Sequence, residues 1–329
     1  YHGNFGALWV ETYQSSLPAS KVFMSACSES GINKNNDFWK YIFGSIVIIG
    51  AAAIGQIPLS LVFINESLKT NKIPANTNEA LQSLDSNLSL FLMMLSFVFG
   101  FIGLILVVKY FHKQSLLEIT TSRKKVDWSR VFFSFTLWTI FTIISTIVIN
   151  YMNPGTLVWN FKPVPFSLLF IIATVLIPIQ TSTEEYVFRG YLMQGFANLS
   201  LNKWFPLLMT SLIFGSMHVL NPEVDKIGYW VLVYYIGTGL FLGILTLMDE
   251  GLELALGFHA ANNLITALLV TSDWTAIQTN SLFKDTSTPG GMWEIFIPVF
   301  IIFPILLIIF SKKYQWTNWK EKLTGKISL

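Results

Sequence analysis

The stretch Phe166-Ser-Leu-Leu-Phe-Ile-Ile-Ala-Thr-Val-Leu-Ile-Pro-Ile-Gln180 runs without a break into Thr181-Ser-Thr-Glu-Glu-Tyr-Val-Phe-Arg189. The first part is apolar almost throughout. The second carries two carboxylates and a guanidinium. A membrane span takes roughly 20 apolar residues, and the first part supplies most of one. Inside lipid the backbone must satisfy its own polar groups, so the segment is read as a helix. That helix is expected to continue past Gln180 and to carry Glu184, Glu185 and Arg189 inside. Ionisable groups in such a setting are costly and mark function.

Seven further apolar runs flank this one: Tyr41–Ile64, Leu88–Tyr110, Val131–Tyr151, Phe205–Leu220, Gly228–Met248, Leu252–Val270 and Trp293–Phe310. None alternates apolar with polar residues as a barrel strand would. The chain is therefore read as all-α, a polytopic membrane protein with about eight transmembrane helices. Composition agrees. Of 329 residues, 53% are apolar and 12% are charged, against roughly a quarter charged in soluble domains. Phe205–Leu220, like Phe166–Gln180, is short for a span and is expected to extend into its polar neighbours. The polar stretches 65–87 and 271–292 read as loops. The layout is then an N-terminal polar segment (1–40), a transmembrane helical domain (41–311) with the polar site in 166–270, and a basic tail (312–329). Residues 1–40 lack the basic head and apolar core of a signal peptide.

The net charge of +2 gives no reason to expect a nucleic-acid partner. The single cysteine, Cys27, excludes an internal disulfide and a cysteine metal cluster. With eight spans, the N-terminus, the even-numbered loops and the C-terminus share a side. That side holds all but five of the 21 Lys and Arg, the five being Lys69, Lys72, Lys162, Lys226 and Lys284. Both termini are thus expected in the cytoplasm, of a bacterial inner membrane or, alternatively, of the endoplasmic reticulum. The densest basic group, Arg123-Lys124-Lys125, fits the same rule. Anionic lipid headgroups are its second reading.

Polar residues inside the apolar runs fall mainly into three groups: Glu184, Glu185 and Arg189; Phe214 and His218; His259, Asn262 and Asn263. Glu185 and Arg189 are four apart with the acid first, the favourable order for a helical ion pair. Glu184 points about 100° away and has no cation in its own helix, which leaves it available as a general base. Pro178, just upstream, can kink the helix and admit water. A lone histidine such as His218 is more often a packing residue than a catalyst. His259 and Asn263 share a face and offer two donors, suited to a developing oxyanion or to gluing helices together. Helical rise puts Glu184 about 27 Å beyond Phe166, and His218 about 20 Å past Phe205. On those figures a tilted helix is needed to bring the two together.

Glu-Glu-x-x-x-Arg, Phe-x-x-x-His and His-x-x-x-Asn, in that order, resemble the motifs of the CPBP family of CAAX prenyl proteases and bacteriocin-processing enzymes, also called Abi. The likeness covers residues 166–270. It implies an intramembrane endopeptidase in which Glu184 and His218 activate water and His259 and Asn263 form the oxyanion site. Glu185, Arg189 and Phe214 support them. Family members are labelled metalloproteases or given a metal-free glutamate mechanism, and both readings stay open here. A Zn2+ ion would draw on Glu184, His218 and His259. No His-Glu-x-x-His occurs, so an ordinary zincin is excluded. The partners implied are membrane lipid and a peptide or protein substrate, lipidated or not. The alternative is a non-catalytic binding, immunity or scaffold subunit with a membrane-protein partner. A transporter would call for internal repeats, and none is found.

Overall fold

The computed structural model describes residues 37–74, 77–289 and 291–327. Apart from its last four residues, the N-terminal polar segment lies outside them. Eight helices carry the architecture: α1 (Phe38–Thr70), α2 (Ser86–Leu106), α3 (Trp128–Met152), α4 (Pro163–Glu185), α5 (Trp204–Ser216), α6 (Val231–Asp249), α7 (Glu253–Leu269) and α8 (Phe303–Tyr314). α2 ends in a π turn, Val107–Phe111. α8 closes a run that opens as Trp293–Ile297 and passes through another, Pro298–Ile302. α4 starts on Pro163, which needs no backbone donor there. It runs through a π segment, Tyr186–Leu192, into a further α-helical stretch, Met193–Ser200.

Six of these runs are long and apolar enough to cross a membrane. α5, with 13 residues, and α7, with 17, are not. The expected count of eight spans is thus six by length and composition. α7 is enclosed by its neighbours, so it need not match the thickness of the lipid. α5 does not extend into its polar neighbours as expected. It stops at Ser216 and passes into i→i+3 turns, and Asn221 before Pro222 is extended. α4 does extend, far beyond Gln180.

α2 packs between α1 and α4; α7 lies against α4 and α3; α5 and α6 pair, and α8 covers α6. Small residues allow the close approaches. A Cβ on Gly257 of α7 would collide with the Val131 carbonyl of α3. The Phe241 ring of α6 stacks on Phe303 of α8 at 4.6 Å and meets Phe258 of α7 at 4.8 Å.

The connections gather at two ends. At one, Ser122 and Leu252 exchange backbone hydrogen bonds with Glu250 and Thr120, and Lys203 and Ile327 do so with Gly325 and Leu201. The basic segments meet here. Arg123 lies 3.3 Å from Asp249 and 3.2 Å from Glu253, Arg130 also pairs with Asp249, and Lys322 reaches Glu250 at 3.0 Å. Arg123, first of the densest basic group, is turned inward by these acids. At the other end, β1 (Leu157–Trp159), β2 (Val270–Thr271) and β3 (Phe283–Asp285) form a small sheet in the order β1-β3-β2. β1 runs antiparallel to β3, and β2 parallel to it. Residues 271–292 are therefore partly ordered by strand pairing, which their polar composition does not announce. Likewise α1 runs on to Thr70, and a short helix, Thr77–Gln82, occupies the polar stretch 65–87.

Candidate active site

Glu185 is fully buried and accepts from two donors through Oε1: Arg189 Nη1 at 3.0 Å and His259 Nδ1 at 2.7 Å. Arg189 Nη2 also donates to the Gly239 carbonyl at 3.2 Å, and the guanidinium lies over the Phe214 ring, 4.5 Å from its centroid. That carbonyl is within reach because Gly239 has no side chain. A Cβ there would sit 2.9 Å from the Ser211 backbone of α5.

Glu184 faces a different environment. Its Oε1 accepts from Gln180 Nε2 at 2.7 Å, one turn upstream, and its Oε2 lies 3.5 Å from His259 Nε2. The side chain keeps 16% of its surface exposed, while Glu185 keeps none. Adjacent in sequence, the two acids thus differ in partners and in access. His259 joins them. Its Nδ1–H is committed to Glu185, and its Nε2 faces Glu184.

Asn263 Nδ2 donates to Gln180 Oε1 at 3.0 Å, so the third motif also meets the first through an amide. Gln180 was not among the expected site residues. The available signal was its place four residues before Glu184, on the same helical face.

His218 sits in the turn after α5. Its backbone N–H bonds the Gly215 carbonyl, which leaves the Phe214 carbonyl without that helical partner. The imidazole Nδ1 takes its place at 2.8 Å. A carbonyl only accepts, so Nδ1 carries the proton and Nε2 keeps its lone pair. The ring stacks on Tyr235 at 4.1 Å, and Phe214 lies 4.9 Å away. His218 makes no hydrogen bond to Glu184 or His259; its side-chain partner is the Phe214 carbonyl. The depth mismatch expected from the sequence is removed by the continuation of α4. Glu184 is sixteen residues from Ser200 and His218 fourteen from Trp204, about 24 and 21 Å by helical rise from the same end.

Among the described residues, no three His, Cys, Asp or Glu side chains gather as a metal site. Glu184, His218 and His259 do not fit a zinc ion as they stand, since no third ligand closes on the Glu184–His259 pair. No step is derived through a metal.

Comparison with known proteins bears on this region. The family model described as "Type II CAAX prenyl endopeptidase Rce1-like" matches residues 163–265, a range that contains all three motifs. Along most of its length the chain is similar to "Uncharacterized protein YyaK" of Bacillus subtilis (strain 168). The two are 30% identical over 291 residues, 86% of this chain and 95% of the relative. No solved structure matches. With its motifs assembled around one buried acid–imidazole cluster, a family match across them and a relative along the chain, the protein belongs to the CPBP family.

Proposed function

We propose that the protein is an intramembrane endopeptidase that uses Glu184 and His218 to activate water. The observation that carries this reading is the division between the two glutamates. Glu185 is neutralised by Arg189 and sealed, while Glu184 is held by the amide of Gln180 and the His259 ring and keeps access. Such a carboxylate suits a general base.

In this scheme Glu184 takes a proton from water, and the water oxygen attacks the carbonyl carbon of the scissile bond. His218 offers its Nε2 lone pair as a second acceptor for that water. His259 and Asn263 donate to the oxygen that becomes negative. The C–N bond then breaks, and the proton on Glu184 passes to the departing amine. Glu185 holds His259, and Arg189 cancels the charge of Glu185; Phe214 covers Arg189 and fixes His218. The Rce1-like match favours a lipidated C-terminal peptide as substrate, reached from the membrane. We read the chain as crossing a bacterial membrane with the Arg123 end in the cytoplasm. That orientation is supported by the basic residues gathered there.

The test is cleavage of a fluorogenic peptide set, prenylated and plain, by the full chain in liposomes. The wild type is expected to cut and Glu184→Ala to be inactive. Activity that survives Glu184→Ala would overturn the assignment of the base. A parallel arm with chelator decides the metal: insensitivity supports the scheme above, and loss restored by zinc replaces it.

A further inference from the structure

Glu184 is the last member of a chain of side-chain hydrogen bonds that crosses three helices. The Trp138 indole N–H of α3 donates to Asn262 Oδ1 of α7 at 3.1 Å. Asn262 Nδ2 donates to Asn263 Oδ1 at 3.0 Å, Asn263 Nδ2 to Gln180 Oε1 of α4 at 3.0 Å, and Gln180 Nε2 to Glu184 Oε1 at 2.7 Å. An indole nitrogen only donates, and an ionised carboxylate only accepts. With those two ends fixed, each of the three amides between them has one permitted orientation. Turning any amide over sets donor against donor and acceptor against acceptor. The two asparagines are half-buried, but Trp138 and Gln180 are buried, so a break at the indole or at the Gln180 amide is poorly repaired by water. The Tyr234 hydroxyl beside Asn262 can donate or accept and does not disturb the polarity.

We infer that Trp138, Asn262 and Gln180 are positioning residues whose directed hydrogen bonds orient Glu184 and the amide of Asn263. The inference rests on Glu184 being the water-activating base. The chain holds one N–H on Glu184 Oε1 and so fixes which way the carboxylate turns. It also sets the plane of the Asn263 amide, whose second N–H is left for the substrate oxygen. Trp138 is far along this chain from Glu184 and acts only through it.

The test compares Trp138→Phe with the wild type in liposomes, on a peptide the wild type cleaves. Phenylalanine keeps an aromatic ring beside Phe141 and Phe258, which now pack on the indole at 4.8 and 4.5 Å, and removes the donor together with one ring of volume. The expected result is a kcat about three- to tenfold lower with KM unchanged, the size of one displaced hydrogen bond. Gln180→Leu, which cannot donate to Glu184 and brings no charge beside it, is expected to lower kcat at least as much. In the double variant Trp138→Phe/Gln180→Leu the loss should be no larger than for Gln180→Leu alone, because the chain is already broken. A wild-type kcat in Trp138→Phe, or losses that multiply in the double variant, would overturn the inference. If Trp138→Phe does not fold, Asn262→Asp replaces it. Its carboxylate accepts the indole proton and cannot pass a donor on to Asn263, so the same kcat loss is expected and a wild-type kcat overturns the inference. Glu184→Gln separates the two levels. If it is inactive while the chain variants are unaffected, only the positioning role fails; if it cleaves normally, the proposed base fails with it.

Discussion

Nδ1 of His259 lies 2.7 Å from Oε1 of Glu185, and this contact ties the third motif of the sequence to the first. One carboxylate oxygen therefore serves both an imidazole and the Arg189 guanidinium, with no solvent near it.

The two glutamates should respond oppositely to the same substitution. Glu185→Gln keeps the shape but removes the charge between Arg189 and His259. A buried charge left without its partner costs about 3–5 kcal/mol. Glu184→Gln, at a partly open position, should change stability by less than about 1 kcal/mol and abolish cleavage. Thermal unfolding in detergent alongside the peptide assay checks both. Equal melting temperatures for the two variants would contradict the division described here.

Gly239 is expected to tolerate no side chain. Gly239→Ala would press a methyl group against the Ser211 backbone. That would push α5 from α6 and draw the carbonyl away from Arg189, at about 1–3 kcal/mol. Gly50→Ala, on α1 with nothing near its Cβ position, is the control and should be neutral or mildly stabilising. Melting temperatures of the two variants decide the point.

The ion cluster at the basic end predicts a difference between neighbouring cations. Arg123→Ala leaves Glu253, which is fully buried, without its guanidinium. A loss of about 2–4 kcal/mol follows, somewhat below the fully buried case because Arg123 keeps some exposure. Lys124→Ala should stay within about 0.5 kcal/mol. Denaturant or thermal titration of both variants measures the contrast.

His112, 3.1 Å from the Tyr191 hydroxyl, should make stability depend on acid. Burial, helped by the charge of Lys40, holds its ring at about 4 rather than 6.5. The folded form keeps the ring neutral. Between those values the unfolded chain binds a proton that the folded chain refuses. Stability from this group is complete above pH 6.5 and is lost as pH falls toward 4, on the order of 3 kcal/mol in all. His112→Gln should flatten that part of the melting curve against pH. An unchanged slope would remove His112 as its source.

Much of the architecture is legible because lipid imposes a coarse rule. Long apolar runs become helices, and α1, α2, α3, α6 and the α8 run follow the sequence closely. The sequence is silent where tertiary packing decides length. α4 reaches Ser200 through a π segment that no periodicity marks, and α5 ends before His218, six residues short of the proline that would have stopped it. The Glu185–Arg189 pair is readable from its spacing. Gln180 and Trp138 are not, because a glutamine near a helix end and a tryptophan in an apolar run are both ordinary until a third helix meets them. Asp249, Glu250 and Glu253 were passed over for the same reason. They sit at the ends of two helices, where acids are usually solvated, and only the inward turn of Arg123 and Lys322 shows that they are not.

The pairing of Lys203 and Leu201 with Gly325 and Ile327, and of Lys322 with the Met248 carbonyl, also bears on how the protein is made. These late residues tie down the ends of helices synthesised well before them. During translation the ends of α5 and α6 wait, inserted but unfastened, until Lys322–Ile327 have left the ribosome. A frameshift or stop codon just upstream of Lys322 would leave a bundle with every span and every motif present but no clasp, a natural substrate for membrane quality control.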